Sequence, residues 1–181
     1  MELIATKIDG AALLVPRVHK DSRGFFLESW NAETFARLGL KQRFVQDNHS
    51  CSVRGTIRGL HYQHPDAQGK LVRVVQGAVY DVIVDMRRSS PTFGQWQGVE
   101  LSSRSQMMLW APPGVAHGFL SLQEDTHLLY KCTEFYHPEA ERCLLWNDPA
   151  LGIEWPLLDL PPTISAKDLQ GVSFSEAVYY Q

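Results

Sequence analysis

The sequence predicts an all-β fold, a jelly roll or sandwich with a few short helices. Most of the chain consists of short apolar runs separated by clusters of Gly, Pro, Asn and Asp, the pattern of many antiparallel strands. The chain has 181 residues, of which 44% are hydrophobic and 20% charged, which is the size and composition of one globular domain. We therefore expect a single domain that spans residues 1–181.

The strand pattern is clearest at residues 70–75 and 79–86, which are rich in Val and are joined through Gln76 and Gly77. This spacing predicts a hairpin. The alternation of apolar and polar residues predicts further strands at 24–30, 44–49, 57–63, 98–101, 106–110, 118–122 and 127–135. So many strands in a small domain favour a jelly roll or a sandwich.

Helices are predicted at two places only. Residues 31–39 have helical periodicity, with Asn31 as the N-terminal cap and Gly39 as the terminator. The segment Ser165-Ala-Lys-Asp168 fits a capping box and indicates the start of a second short helix.

Composition argues against several classes of function. The net charge is −3 with scattered Lys and Arg, so we expect no nucleic-acid partner. No segment approaches the roughly 20 apolar residues of a membrane span, and the first residues do not resemble an export signal. The cysteines Cys51, Cys132 and Cys143 lack the spacing of a disulfide framework or zinc knuckle. We expect a cytoplasmic protein with reduced thiols and no membrane partner.

His61 is a candidate general base, because it lies in the strand-like segment 57–63 among apolar neighbours. A hydrogen-bonded structural histidine is the alternative interpretation. Arg58, Gln63 and Lys70 are close in sequence, and a structural strand has no need to bury so many cations and amides. This density favours a functional site.

A metal centre is another alternative for these histidines. His61 and His64 are three residues apart, which places them on opposite faces of a regular strand, and only His117 would be a third ligand. We therefore predict no metal. Asp81 lies on the Val-rich strand, where it either pairs with His117 or, like Asp85, faces solvent.

Other polar residues suit a ligand or an ordinary surface. Arg23 follows a turn signature and could clamp a diphosphate together with Arg58, although either arginine could equally be solvated. Gln46 and Asn48 share one strand face, where paired amides either contact a ligand or tie loops together. The hydroxyl of Tyr130 lies in an apolar strand and needs a partner or a role.

A series of segments carries a resemblance to a known family. In chain order they are residues 21–28, 45–50, 58–61, 68–72, 80–82, 84–87, 90–94, 116–119, 129–131, 146–148, 153–156 and 165–168. Together they closely resemble the dTDP-4-dehydrorhamnose 3,5-epimerases, from about Arg17 to Asp168 and without a large gap. The resemblance implies a cupin-type jelly roll, a homodimer that exchanges N-terminal strands, and a reaction without metal or organic cofactor.

The same resemblance implies roles for individual residues. His61 matches the base that removes a sugar proton, Asp168 its orienting partner, Tyr130 the acid on the opposite ring face, and Lys70 the cation that stabilises an enolate. Tyr136 matches an aromatic residue that stacks on thymine. The other implied substrate contacts are Arg23, Phe26, Glu28, Gln46, Asp47, Asn48, Arg58, Glu141 and Lys167, with His117 and Asp81 as a second pair in the pocket.

The implied activity is 3,5-epimerisation of dTDP-4-dehydro-6-deoxy-D-glucose to dTDP-4-dehydro-L-rhamnose. Its 4-keto group acidifies the C3 and C5 hydrogens, so the reaction needs no redox cofactor, and no dinucleotide-binding Gly-rich turn is found. The alternatives are a single-site 3- or 5-epimerase, a 3,4-ketoisomerase, a non-catalytic sugar-nucleotide-binding cupin and a metal-dependent cupin oxygenase. Arg58 and His61 can both face a ligand only if the strand is irregular, and Gly59 predicts a bulge there.

Overall fold

The computed structural model describes residues 1–156 and 158–181, and most of its regular structure is strand. Among these residues, one short helix, α1 (Ala32–Arg37), accompanies the strands, with three single-turn 3₁₀ segments at Pro138–Ala140, Asp168–Gln170 and Phe174–Glu176. The strands are β1 Glu2–Ala5, β2 Ala12–Val15, β3 Val18–Asp21, β4 Gly24–Leu27, β5 Gln46–Ser52, β6 Thr56–Gln63, β7 Lys70–Gln76, β8 Ala78–Asp85, β9 Trp96–Ser102, β10 Met108–Ala111, β11 Val115–Ser121, β12 Thr126–Cys132, β13 Glu141–Cys143 and β14 Thr163–Ile164.

Two sheets form the body of the molecule. The first has the strand order β1-β2-β10-β7-β12-β5, and the second has the order β13-β6-β11-β8-β9, with β14 parallel to β6. All other pairings between neighbours in these sheets are antiparallel. Strands that are distant in sequence therefore lie side by side, as the predicted jelly roll requires.

The predicted hairpin at residues 70–86 is wrong. Its two strands exist as β7 and β8, but β7 pairs with β10 and β12 in the first sheet, whereas β8 pairs with β9 and β11 in the second. Gly77 makes the corner with φ +78°, where a Cβ would lie only 2.4 Å from Oγ1 of Thr126. The Val-rich pattern correctly indicated that both strands are buried, but burial does not specify which strand each of them pairs with.

The main core fills the space between the two sheets. Alternate residues of β7, Val72 and Val74, meet Val79 and Ile83 of β8, and Phe119 of β11 packs beside them. Each of these side chains is at most 4% exposed. The period-2 alternation of strands thus directs one face of each sheet into a shared apolar layer.

The outer face of the second sheet is covered by the C-terminal part of the chain. Leu60, Val82 and Val84 project outward and pack against a cluster that includes Leu144 and Ala177. The hydroxyl of Tyr62 also donates to the Val178 carbonyl, at 2.9 Å. The second sheet is therefore apolar on both faces, which agrees with its long buried runs.

Helix α1 begins and ends as the sequence predicts. The Asn31 side chain accepts hydrogen bonds from the amides of Glu33 and Thr34, both 3.0 Å long, and Gly39 follows the helix with φ +86°. Phe35 is only 2% exposed, because it packs beside Trp110 on the face of the first sheet that points away from the main core. No helix among the described residues is long and apolar enough to cross a membrane.

Strands β3 and β4 form a separate two-stranded hairpin. Its phenylalanines are exposed, with Phe25 57% and Phe26 70% accessible to solvent. Neither strand joins one of the two large sheets in the described part of the chain. The hairpin is therefore an apolar surface that this chain does not bury by itself.

Candidate active site

A cleft of about 780 Å³ opens at one end of the space between the two sheets. Lys70 is two residues before the core residue Val72 on β7, so its side chain is on the same face of the strand and lines the cleft. His61 lines the cleft from β6. The predicted site residues that line the cleft are Gln46, Asn48, Arg58, His61, Lys70, His117, Tyr130, Tyr136, Glu141, Lys167 and Asp168.

His61 and Asp168 form a hydrogen-bonded pair inside the cleft. Nε2 of His61 lies 2.8 Å from Oδ1 of Asp168, and Oδ2 of Asp168 accepts the Gly59 amide at 3.2 Å. Burial opposes ionisation of this carboxyl, but the hydrogen bonds from His61 and Gly59 outweigh it and hold the pKa of Asp168 below its ordinary value. An ionised Asp168 orients the imidazole and leaves Nδ1 for a ligand.

The predicted irregularity in β6 is present. Residue His61 pairs with His117 and Arg58 pairs with Phe119, so β6 contains one more residue than β11 between these pairs. Gly59 has φ +112°, and a Cβ on it would lie 2.6 Å from Cα of Gly118. The bulge brings Arg58 and His61 to the same cleft although they are three residues apart.

The first sheet places Tyr130 and Lys70 opposite His61. Burial raises the pKa of the Tyr130 phenol, which therefore stays protonated at neutral pH. Lys70 is 6% exposed, and its ammonium group donates to the carbonyl of His61 at 3.4 Å. Burial lowers the pKa of Lys70, while the nearby Cys132 and Glu141 oppose that shift.

A polar cluster closes another side of the cleft. Glu141 accepts hydrogen bonds from the Tyr136 hydroxyl and from the ammonium of Lys167. Burial works against the charge on Glu141, but these donors lower its pKa overall. On β5, the amide of Gln46 donates to the Asn48 side chain at 3.0 Å, so both amides share one face as predicted.

Arg58 is held in place by the inner end of β5. Its Nε donates to Oγ of Ser52 at 3.1 Å, and its Nη2 donates to the carbonyl of Cys51 at 3.1 Å. Ser52 is 4% exposed, whereas Arg58 reaches into the open cleft. The remaining guanidinium donors are therefore available to an anion.

His117 and Asp81 form a second buried pair. Nε2 of His117 lies 2.9 and 3.0 Å from the two carboxyl oxygens of Asp81, which is fully buried. Burial raises the pKa of Asp81, and His117 counteracts part of this shift. The solvent-facing alternative for Asp81 and Asp85 is wrong, since Asp85 is also 0% exposed and binds Arg87.

Four predicted substrate contacts lie outside this cleft. Asp47 points to the opposite face of β5 and pairs with Lys131 at 2.9 Å, because neighbouring strand residues face opposite ways. Arg23 lies on the β3–β4 turn, where it pairs with Asp21 and its side chain is 88% exposed. Phe26 is on the same hairpin, and Glu28 just after it accepts hydrogen bonds from Asn31 and Thr34 near helix α1.

Among the described residues, His61, Cys143 and Asp168 are the only group of three whose ligand atoms lie within 4.8 Å of one another. Burial raises the pKa of the Cys143 thiol to about 12, and Asp168 and Glu141 add to the shift. A metal needs the thiolate, and Asp168 already binds His61. In this structure the Cys143 thiol is thus protonated, and the Asp168 carboxylate is engaged by His61.

Sequence reasoning did not assign roles to several residues of the site. Ser165 accepts the Asp168 amide at 3.0 Å, and Gln63 and Gln68 line the cleft while bonding to backbone groups. The capping-box pattern indicated only the Ser165 contact. The carboxylate of Asp168 does not return to the helix start, and the second helix is a single 3₁₀ turn.

The fold is that of a cupin-type protein, and its cleft holds a hydrogen-bonded His–Asp pair opposite a buried phenol of the facing sheet. A family model described as dTDP-4-dehydrorhamnose 3,5-epimerase matches residues 5–176. The chain belongs to this family, and it is an isomerase.

Relatives and solved structures agree with this assignment. The dTDP-4-dehydrorhamnose 3,5-epimerase of Pseudomonas aeruginosa is 53% identical over 178 residues, which cover 98% of each chain. An epimerase of Legionella pneumophila, solved with dTDP-4-keto-L-rhamnose, is 45% identical with a TM-score of 0.95 and covers 99% of this chain and 98% of its own. A 3′-monoepimerase from Streptomyces bikiniensis, solved with dTDP-quinovose, is 36% identical with a TM-score of 0.87, covering 94% and 86%.

Proposed function

We propose that this enzyme inverts C3 and C5 of dTDP-4-dehydro-6-deoxy-D-glucose and forms dTDP-4-dehydro-L-rhamnose. The observation that carries the proposal is the placement of His61 with Asp168 and of Tyr130 in one cleft from facing sheets. A ligand between the sheets then has a base on one face and an acid on the other, which is what inversion at a carbon requires.

The first step is removal of the proton from a carbon beside the ketone. Nδ1 of His61 accepts that proton, and the ionised Asp168 stabilises the imidazolium through its bond to Nε2. The electron pair of the broken C–H bond moves into the ring and places negative charge on the C4 oxygen. Lys70, buried in the same cleft, supplies the positive charge that stabilises this enolate.

The second step is protonation of the same carbon from the opposite face. The phenol of Tyr130 is protonated because burial raises its pKa, so it can donate a proton to the enolate. Reprotonation by His61 would restore the original configuration. Tyr130 therefore determines whether proton removal leads to inversion.

Recognition of the nucleotide is assigned to the rim of the cleft. Arg58 has free guanidinium donors for the diphosphate, and the exposed ring of Tyr136 would stack on thymine. The amides of Gln46 and Asn48, together with Lys167, offer further polar contacts. These groups are separate from the general base His61, so the sugar can shift between the two inversions while the nucleotide stays bound.

Solvent isotope labelling tests the double inversion. In deuterium oxide, each carbon that is deprotonated and reprotonated across the ring acquires deuterium, so we expect label at both C3 and C5 of the product sugar. Nuclear magnetic resonance would locate the label, with a 4-keto reductase added to consume the L-configured ketone. Label that stays at one carbon at long times, with active enzyme, would refute double epimerisation.

A single-site epimerase is the second candidate function. The Streptomyces bikiniensis 3′-monoepimerase has a closely similar structure, with a TM-score of 0.87. The shared fold therefore does not determine how many carbons are inverted, and the labelling experiment separates the two activities.

We also propose a homodimer that exchanges its N-terminal hairpin. Arg23, Phe26 and Glu28 match substrate contacts of the family but lie outside the cleft of their own chain, and Phe25 and Phe26 are exposed. Exchange would bury these rings and bring the missing contacts to the cleft of the partner subunit. The free cysteines, including the exposed Cys51, favour the reducing cytoplasm as the location.

A further inference from the structure

Gln63 spans the segment that carries Tyr136. Its side-chain nitrogen donates to the carbonyls of Asp66 and Phe135, at 2.9 and 3.1 Å, and its side-chain oxygen accepts the amide of His137 at 2.7 Å. The Gln63 side chain thus binds the backbone on both sides of Tyr136, at Phe135 and His137, and its remaining amide hydrogen binds Asp66. This arrangement also fixes which end of the side-chain amide is nitrogen.

Two further glutamines hold the same segment. Gln68 donates to the carbonyl of Glu134 at 2.8 Å, and Gln46 accepts the amide of Tyr136 at 3.0 Å. Residues 134–137 therefore have a backbone hydrogen bond to a glutamine side chain at every position. The glutamines come from β5, β6 and the segment before β7.

Burial of the segment's own side chains cannot hold it in place. Phe135 is 56% and Tyr136 47% exposed, whereas Gln63 is 3% and Gln68 8% exposed. The segment also lies outside the strands. Hydrogen bonds to Gln63 and Gln68 therefore help to fix its position, beside the bond from the Tyr136 hydroxyl to Glu141. A buried amide is costly unless it makes such contacts.

We infer that Gln63 and Gln68 are positioning residues of the nucleotide site, which hold residues 134–137 so that the Tyr136 ring covers the cleft. The inference rests on the proposed function in one respect, the contact of Tyr136 with the nucleotide base. Gln63 and Gln68 act through the backbone and leave proton transfer to His61 and Tyr130. Their loss therefore weakens nucleotide binding more than it slows turnover at saturating substrate.

The test replaces Gln63 by methionine, which keeps the shape of the side chain but removes its hydrogen bonds. We expect Gln63→Met to weaken dTDP binding roughly tenfold by titration calorimetry and to raise KM with a much smaller change in kcat. Gln68→Met removes one bond to the same segment, so a smaller effect is expected. Gln76→Met, at the exposed end of β7, is the matched control and should behave like the wild type.

The hold of Gln63 and Gln68 on residues 134–137 is called the glutamine clamp. Amide hydrogen exchange in the free enzyme tests this clamp without any ligand. Gln63→Met should accelerate exchange in residues 134–137, above all at His137, while exchange in β6 and β11 stays slow. Unchanged exchange in this segment would overturn the clamp. Uniformly faster exchange in both sheets would also overturn it, because that result shows a general loss of structure.

A double-variant comparison decides whether Gln63 acts through Tyr136. Gln63→Met added to Tyr136→Ala should cause no further loss of dTDP affinity, whereas independent effects would multiply and overturn the inference. If Tyr136→Ala alone leaves dTDP affinity unchanged, the proposed base contact of Tyr136 fails. In that case faster exchange still establishes the clamp, and only the assigned purpose is lost.

Discussion

At the scale of single residues, burial and hydrogen bonding set the protonation states that the reaction needs. Hydrogen bonds from His61 and Gly59 keep Asp168 ionised against the effect of burial, whereas burial keeps the Tyr130 phenol protonated. The two pKa shifts have opposite directions: the pKa of Asp168 is lowered, so that it holds a charge, and the pKa of Tyr130 is raised, so that it keeps a proton to donate. In the proposed mechanism, the cleft therefore contains an oriented base and an acid before substrate binds.

Replacing His61 by asparagine removes the general base but leaves the contacts to the diphosphate and the thymine in place. We expect His61→Asn to lower kcat by roughly 10³-fold or more, with dTDP affinity nearly unchanged in titration calorimetry. His64→Asn, at a histidine outside the cleft, is the control and should retain activity. Parallel loss of binding and turnover in a folded His61→Asn enzyme would indicate a structural histidine.

Replacing Tyr130 by phenylalanine separates proton removal from inversion. His61 can still form the enolate and return a proton to the original face, so solvent deuterium should enter recovered substrate while little inverted product forms. Mass spectrometry of the recovered sugar nucleotide measures this exchange. Normal epimerisation by Tyr130→Phe would show that another group is the acid.

At the scale of elements, the bulge in β6 is the feature that converts a strand into part of an active site. Regular alternation would place Arg58 and His61 on opposite faces, and this conflict was visible in the sequence together with Gly59 as its solution. The register change between the pairs Arg58–Phe119 and His61–His117 supplies the extra residue. Local rules therefore predicted where the strand departs from regularity.

Gly59→Ala should disturb both stability and activity. The added Cβ would lie 2.6 Å from Cα of Gly118 and 2.7 Å from the His117 carbonyl, at a φ of +112° that other residues rarely adopt. We expect a loss of about 1–3 kcal/mol in the free energy of unfolding by denaturant titration, with reduced kcat. Gly152→Ala, whose Cβ would meet nothing nearer than 4.0 Å at φ +59°, should retain full activity. Equal activity in the two variants would contradict the role of the bulge.

At the scale of the whole molecule, the proposed dimer would join the exposed N-terminal hairpin of one chain to the cleft of the other. The hairpin offers Arg23 and two unburied phenylalanines, while the cleft lacks those contacts in its own chain. An exchange between two subunits would bury the phenylalanines of each hairpin and add Arg23 to each cleft. Each active site would then contain His61 of one chain and Arg23 of the partner subunit.

Mixed dimers test this exchange. His61→Asn and Arg23→Ala are each expected to be weak or inactive, the second because it loses a charge-assisted diphosphate contact of roughly 1.5–3 kcal/mol. If the sites are shared, a mixed dimer contains one fully intact site, so unfolding and refolding the two variants together should restore activity. If Arg23 serves its own chain, every site in the mixture carries a defect and no activity returns.

The sequence by itself determined the strand-rich class, the helix cap at Asn31 and the residue types needed for proton transfer. These follow from alternation and capping, which act over a few neighbouring residues. Only the tertiary structure decided that β7 and β8 join different sheets and that Asp47 faces Lys131. The contact of Asp168 with His61 across 107 positions was implied by the family resemblance and not by any local pattern. Such contacts depend on how the sheets stack, because burial can be satisfied by many partners and local patterns do not choose among them.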